Sequence, residues 1–266
     1  MGNILDELTD YARYRVEEYK KSVPLSEMRY QAERMGRLTM NCKGLFPMEE
    51  ALKADGLHFI CECKKASPSK GLIAANFPYI DIAKSYEEAG ASAISVLTEP
   101  KWFLGKDSYL REIANRVHIP VLRKDFTVDP YMIYQAKTLG AAAVLLICAV
   151  MDTEEVREAI SICNSLGLSA LVEAHDEKEV ESAVAAGARI IGVNNRNLKD
   201  FTVDIQNSIR LRELAPEGTI FIAESGIKSP QDVQELRQHG VNGVLVGEQL
   251  MRANSPGEEL ARLRGE

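Results

Sequence analysis

The chain lacks most of the features that would assign it to a membrane, to the cell exterior or to nucleic acid. Its cysteines, Cys42, Cys61, Cys63, Cys148 and Cys163, are odd in number and irregularly spaced over 266 residues. That excludes a disulfide framework and points to a reducing compartment. Cys61 and Cys63 stand two apart, which fits no zinc spacing. No apolar run reaches membrane-spanning length, and residues 1–7 offer neither the basic nor the apolar region of an export signal. A cytoplasmic location is expected. Positive charge is also short: 32 Lys and Arg against 39 Asp and Glu give a net charge of −7. A phosphate backbone is therefore excluded as a general partner, although a few cations and backbone N–H groups can still hold one small phosphorylated ligand. Histidine is sparse. Of His58, His118, His175 and His239, only His175 follows an apolar run at its C-terminal end, so neither a metal centre nor a Ser-His-Asp site is expected.

What is present is a repeated sentence. Hydrophobic residues make up 45% and charged residues 27%, enough for an ordinary globular core. Short apolar runs occupy 59–63, 93–97, 121–124, 142–147, 170–172, 190–193, 220–223 and 243–246. Between them lie stretches of helical period such as 79–86, several closed by a glycine: Gly90, Gly140, Gly167, Gly187 and Gly240. Ser229-Pro230 reads as an N-cap followed by a first-turn proline. Runs rich in Val, Ile and Ala suit strands buried on both faces, hence a parallel sheet. Eight such strands could form a closed barrel or an open doubly wound sheet. Count and length favour the α/β (β/α)8 TIM barrel, and the loop from Lys64 to Gly71 does not fit the G-x-G-x-x-G turn common in open sheets. Residues 1–57 read as a helical extension, with Ile4, Leu5 and Leu8 on one face and a second helix over 26–38. The extension is too short for a domain of its own, so one barrel domain over 1–266 is expected, with the extension packed on it.

In such barrels chemistry lies at the C-terminal strand ends. Side chains alternate along a strand, so Glu62 and Lys64 share one face while Cys61 and Cys63 take the other. Lys124, Glu173, Asn194 and Glu224 end four further runs. If all six point inward, three carboxylates and two ammonium groups meet in one mouth. Any one of them alone is ordinarily a solvated strand terminus. Five strand ends carrying such groups together are costly to bury unless they pair and work. Ser225-Gly226 and Gly247 follow the seventh and eighth runs, where barrels commonly bind phosphate, and Ser67 after the first run could complete an anion nest. Phe103, Phe126 and Leu198 could stack on an aromatic ring or simply pack. The loop over 65–77 is long enough for a mobile lid.

These segments resemble the indole-3-glycerol phosphate synthase family from Phe59 to about Met251. The most specific is Glu62-Cys63-Lys64-Lys65-Ala66-Ser67-Pro68-Ser69-Lys70-Gly71. Leu122-Arg123-Lys124-Asp125-Phe126, Leu171-Val172-Glu173-Ala174-His175, Gly192-Val193-Asn194-Asn195-Arg196-Asn197-Leu198 and Ala223-Glu224-Ser225-Gly226-Ile227 resemble its other active-site segments. The resemblance implies a lyase without metal or cofactor that closes and decarboxylates 1-(2-carboxyphenylamino)-1-deoxyribulose 5-phosphate, in a chain that is monomer or weak homodimer. It implies Lys124 as general acid, with Glu173 as its partner in proton transfer. Lys64 would hold the substrate carboxylate and serve as acid in the loss of water. Glu62 and Asn194 would orient these groups, with Glu62 a candidate base. Glu224 and Ser225 would line the sugar side, and Arg196 would hold a loop or the substrate. Ser67, Gly226 and Gly247 would contact phosphate, and Phe103, Phe126 and Leu198 would bound the aryl pocket. The extension would cap the mouth. One departure stands out. Glu248 follows Gly247 where the family often has Ser, and a carboxylate facing phosphate is unfavourable, so Glu248 is expected to turn away. The nearest rivals are a phosphoribosyl-anthranilate isomerase, which has less need of the Glu62–Lys64 pair, and a barrel that only binds sugar phosphate, which has no need of Lys124 and Glu173.

Overall fold

Eight short strands close on themselves. A computed structural model describes residues 4–43, 45–197 and 202–265, the side chains of 39–43 excepted. The barrel strands are β1 (His58–Cys63), β2 (Ala93–Leu97), β3 (Val121–Lys124), β4 (Ala143–Ile147), β5 (Ser169–Ala174), β6 (Ile190–Asn194), β7 (Ile220–Glu224) and β8 (Gly243–Val246). Neighbours run parallel, and β1 pairs with β8, His58 beside Gly243 and Cys61 beside Val246. Closure rules out the open-sheet alternative. β5 runs two residues past its apolar stretch, because Glu173 is itself inside the barrel and 4% exposed.

Alternation divides the core into two shells. Ile60, Leu122, Leu145, Leu171, Ile222 and Leu245 face one another inside the cylinder. Cys61, Cys63, Val96, Val144, Val172 and Phe221 face outward against the surrounding helices. Because the period is two, Glu62, Lys124, Glu173 and Glu224 are bound to follow the inward set at the strand ends.

The helices are punctuated by their own sequence. Asp152 and Ser229 each form a capping box, with Glu155 and Asp232 respectively. The five glycines that close helices all stand in left-handed backbone, where a side chain would add strain.

The N-terminal extension does three jobs. α1 (Ile4–Ser22) crosses the mouth, where Ile4, Leu5 and Leu8 line the central cavity. α2 (Leu25–Lys43) runs beyond the expected 26–38 and lies along α6 (Pro130–Thr138). A third helix, α3 (Pro47–Lys53), was not expected; seven residues are too few to show a period. Its Met48 and Leu52 enter the interior core and plug the N-terminal end of the cylinder. Its Glu49 takes Arg189 at 2.8 Å and the Ser169 hydroxyl at 3.2 Å. Among the described residues, no helix is long and apolar enough to cross a membrane.

Candidate active site

The strand ends opposite α3 open into a cavity of about 570 Å³. Glu62, Lys64, Lys124, Glu173, Asn194 and Glu224 all line it, as do Ser67, Phe103, Phe126, Arg196, Ser225, Gly226 and Gly247. Leu198 lies outside the described residues.

Two ion-paired lysines occupy the floor. The Lys64 ammonium stands 2.6 Å from Glu62 Oε1. The Lys124 ammonium stands 3.0 Å from Glu173 Oε2 and 3.4 Å from Glu224 Oε2. Asn194 acts as a bracket. Its amide donates to Glu173 Oε1 at 3.3 Å, and its oxygen accepts from the Ser225 hydroxyl at 2.9 Å and the Arg196 N–H at 3.1 Å. Two inward positions must stay bare for this packing. A Cβ at Gly192 would overlap Glu224 Oε1, and one at Gly247 would come within 2.5 Å of Glu62 Oε1.

The carboxylates do not share the charge equally. Burial disfavours ionisation of both Glu173 and Glu224. Lys124, His175 and Asn194 override burial at Glu173 and hold it below the usual carboxylate range. At Glu224 burial wins, reinforced by Glu173 and Glu62 against Lys124, and its carboxyl is pushed up to about 7. Glu224 Oε1 accepts no hydrogen bond among the described residues. Burial also works against the charged form of Lys124, but Glu173, Glu224 and Glu62 hold it protonated well beyond neutral pH.

The lining of the cavity varies in character. Phe103 and Phe126 form an apolar wall, ring centroids 6.2 Å apart. Elsewhere in the lining Ser225 and Gly226 both adopt positive φ, 65° and 88°, and successive residues turned in this way can form an anion nest. The loop after β1 carries a short folded ribbon: Ala66–Ser67 pairs antiparallel with Gly71–Leu72. The Glu248 carboxylate is engaged by two cations. The residue lines the cavity with that carboxylate 3.1 Å from Arg252 Nε and 3.8 Å from Lys70 Nζ.

A sequence model of the indole-3-glycerol phosphate synthase family matches residues 5–263. The chain belongs to the indole-3-glycerol phosphate synthase family. It is 58% identical to the indole-3-glycerol phosphate synthase of Ruminiclostridium cellulolyticum, over 98% of this chain and 99% of that one. It is 50% identical to that of Lachnoclostridium phytofermentans, over 95% of each. A crystal structure of 3-hexulose-6-phosphate synthase superposes with a TM-score of 0.64 at 15% identity, covering 79% of this chain and 99% of that one. That likeness speaks to the fold alone. The chain is accordingly a carboxy-lyase of tryptophan biosynthesis.

Several residues beyond the expected set shape this family member's site. Asp125, next to Lys124, is fully buried and takes both guanidinium nitrogens of Arg15 from α1, at 2.6 and 3.1 Å. The Thr98 hydroxyl donates to it at 2.6 Å, and Arg123 bonds that hydroxyl in turn at 3.1 Å. Burial pushes the Asp125 carboxyl up, but Arg15, Arg123 and Thr98 hold it below its ordinary value. The extension is thus tied to the strand that carries Lys124. Glu99 is buried and accepts from the N–H groups of Lys101, Trp102 and Phe103 at 2.7–2.9 Å, which fixes the turn presenting Phe103. His175 is a third case: its ring lies between Glu173 and Glu179. The Arg15–Asp125 tie joins residues 110 apart in sequence, and the Glu99 and His175 contacts, though local, count because burial removes water as a competing partner.

Proposed function

We propose that this cavity converts 1-(2-carboxyphenylamino)-1-deoxyribulose 5-phosphate to indole-3-glycerol phosphate, carbon dioxide and water through the following division of labour. The phosphate seats at Ser67, Gly226 and Gly247, with Lys70 and Arg252 nearby as cations. The aryl ring lies against Phe103 and Phe126, with Leu198 as a further part of that wall. Lys64 holds the aryl carboxylate, and Arg196 steadies the neighbouring loop.

The ring carbon bearing the carboxylate attacks the ketone carbon, and the carbonyl electron pair moves to oxygen. Lys124 protonates that oxygen, since a forming alkoxide in a dry site needs a positioned acid. The C–CO2 bond then breaks, and its electron pair returns to the ring as carbon dioxide leaves. In the last step Glu62 removes a proton and Lys64 supplies the one that departs with the hydroxyl as water. Glu173 passes protons to and from Lys124, and Asn194 keeps it aimed. Glu224, half-protonated near neutral pH, lines the sugar side with Ser225 and can take or give a proton there. All these residues belong to one chain, which suits a monomer or weak homodimer in the cytoplasm.

The observation that carries this reading is the Lys124 ammonium held between Glu173 and Glu224 beside a second lysine–carboxylate pair. An isomerase needs one acid and one base, and a binding barrel needs neither pair. The test is turnover of the anilino-deoxyribulose phosphate followed by indole fluorescence. Lys124→Ala should lower kcat by roughly 10²–10⁴-fold while phosphate-ligand binding survives. Unchanged turnover refutes the assignment.

A further inference from the structure

We propose that His175 is a positioning residue for the reaction: its imidazolium, braced by Glu179, presents an N–H to Glu173 and fixes the charge and aim of that carboxylate toward Lys124. The inference rests on the role given to Glu173 above.

His175 is the first residue after β5. Its backbone N–H and its ring Nδ1 both meet the same oxygen of Glu179, at 2.8 and 3.0 Å. A carboxylate oxygen only accepts, so Nδ1 carries a hydrogen. The other ring nitrogen, Nε2, is buried and lies 3.4 Å from Glu173 Oε1, with no formed hydrogen bond among the described residues. A neutral ring protonated on Nδ1 would set the Nε2 lone pair against a carboxylate oxygen in a dry setting. A doubly protonated ring sets an N–H there instead.

The surroundings agree with the charged form. Facing the ring are Glu173 on β5, Glu179 on α8 (Glu177–Ala185) and Glu224 on β7, with Lys124 of β3 beyond Glu173. Cys148, just past β4, keeps its proton, burial pushing its thiol up to about 12. From α9 (Gln206–Arg212), Asn207 donates to the His175 carbonyl at 3.1 Å and holds the backbone. Burial alone would lower the imidazole, but Glu179 and Glu173 hold it above its ordinary value. Glu173 thus has Lys124 on Oε2, and Asn194 and His175 on Oε1. With a second cation on Glu173, Lys124 is less tightly bound to its own proton and is the better acid.

The test is the pH profile of kcat and KM between about pH 3 and 9 for wild type, His175→Gln, Glu179→Gln and Glu173→Gln. Removing a cation beside a carboxylate raises the pKa of that carboxylate. The acidic limb of kcat in His175→Gln should therefore move up by about one pH unit or more, with KM little changed. The two profiles should converge at alkaline pH, where the wild-type ring is also neutral. Glu179→Gln should shift the limb in the same direction by less. A limb superimposable on wild type, or a drop in kcat uniform across pH, would overturn the inference. Imidazole resonances of the wild-type protein give a check that needs no variant: His175 should stay protonated above about pH 6.5, and a neutral ring at pH 6 would also overturn it. Glu173→Gln separates the two levels. Full activity there removes the role of Glu173 itself, whereas an inactive Glu173→Gln beside an unshifted His175→Gln removes only the inference about His175.

Discussion

Replacing Glu224 with Gln should stabilise the protein at pH 8 while damaging the enzyme. The side chain is 3% exposed, one of its oxygens has no partner among the described residues, and the other shares Lys124 with Glu173. Its carboxyl is raised from the model-compound value of 4.5 to about 7, first by burial. A raised carboxyl means that the folded state binds the proton more tightly than the unfolded chain does. The stability it contributes is complete below about pH 4.5 and is lost as pH rises through 7. At about 1.4 kcal/mol per pH unit, the loss between pH 5 and pH 8 amounts to about 2–3 kcal/mol. Glutamine has no charge to desolvate and does not titrate, so its stability should lack this slope. Relative to wild type, the variant should gain about 2–3 kcal/mol on going from pH 5 to pH 8, which is roughly 5–10 °C in melting temperature for a chain of this size. Urea midpoints measured across the range for both proteins decide the matter, and activity should fall at every pH. Parallel pH slopes for the two proteins would mean that Glu224 is not the group titrating.

Two further perturbations probe the frame around the site. Arg15→Met removes both guanidinium contacts to buried Asp125 and leaves it with Arg123 at 3.6 Å, the Thr98 hydroxyl and the Phe126 N–H at 2.8 Å. Breaking such a pair costs about 3–5 kcal/mol, to be read from the urea midpoint, and KM should rise as α1 loosens over the mouth; an unchanged midpoint would discount the tie. Gly247→Ala places a methyl 2.5 Å from Glu62 Oε1 and 3.1 Å from Lys64 Nζ. It should lower kcat/KM on the order of 10²-fold through misplacement with the far-UV spectrum unchanged, and wild-type kinetics would show that the pair can give way.

How much of this could be read from the sequence depended on the range of the interaction. Strand alternation is local, so the inward set from Glu62 to Glu224 follows once the apolar runs are located. Helix ends are local too, which is why Ser229 and the closing glycines stand where expected. The seven-residue helix at 47–53 has no room to display a period, and only its burial of Met48 and Leu52 explains it. Asp125 with Arg15, Glu99 with the turn at 101–103, and His175 with Glu179 were harder for different reasons. The first joins residues 110 apart in sequence. The other two are close in sequence, but what matters is that burial removes water as a competing partner. Glu248 shows the same limit: its carboxylate meets Lys70 and Arg252, and the contact to Lys70, from the loop after β1, has no signature in spacing.

The barrel carries buried carboxylates at both ends, and the difference between them is informative. At the closed end Glu49 is saturated: Arg189 contacts both oxygens at 2.8–3.0 Å, and Ser169 adds a hydroxyl. Nothing there is left over for a ligand, and the arrangement secures the α3 plug. At the open end three carboxylates face two ammonium groups, one oxygen of Glu224 lacks a partner, and Asn194 holds Glu173 from a second side. Such a surplus of negative charge would repel a substrate that is itself an anion. The repulsion is limited by two features: Glu224 takes up a proton near neutral pH, and Lys70, Lys228 and Arg252 line the same cavity. The same cavity therefore holds further cations beside the proton-exchanging pairs. A fully neutralised cluster like that of Glu49 could hold the fold together but could not exchange protons. The unpartnered oxygen of Glu224 beside Lys124 is what leaves a place there for a proton to enter and leave.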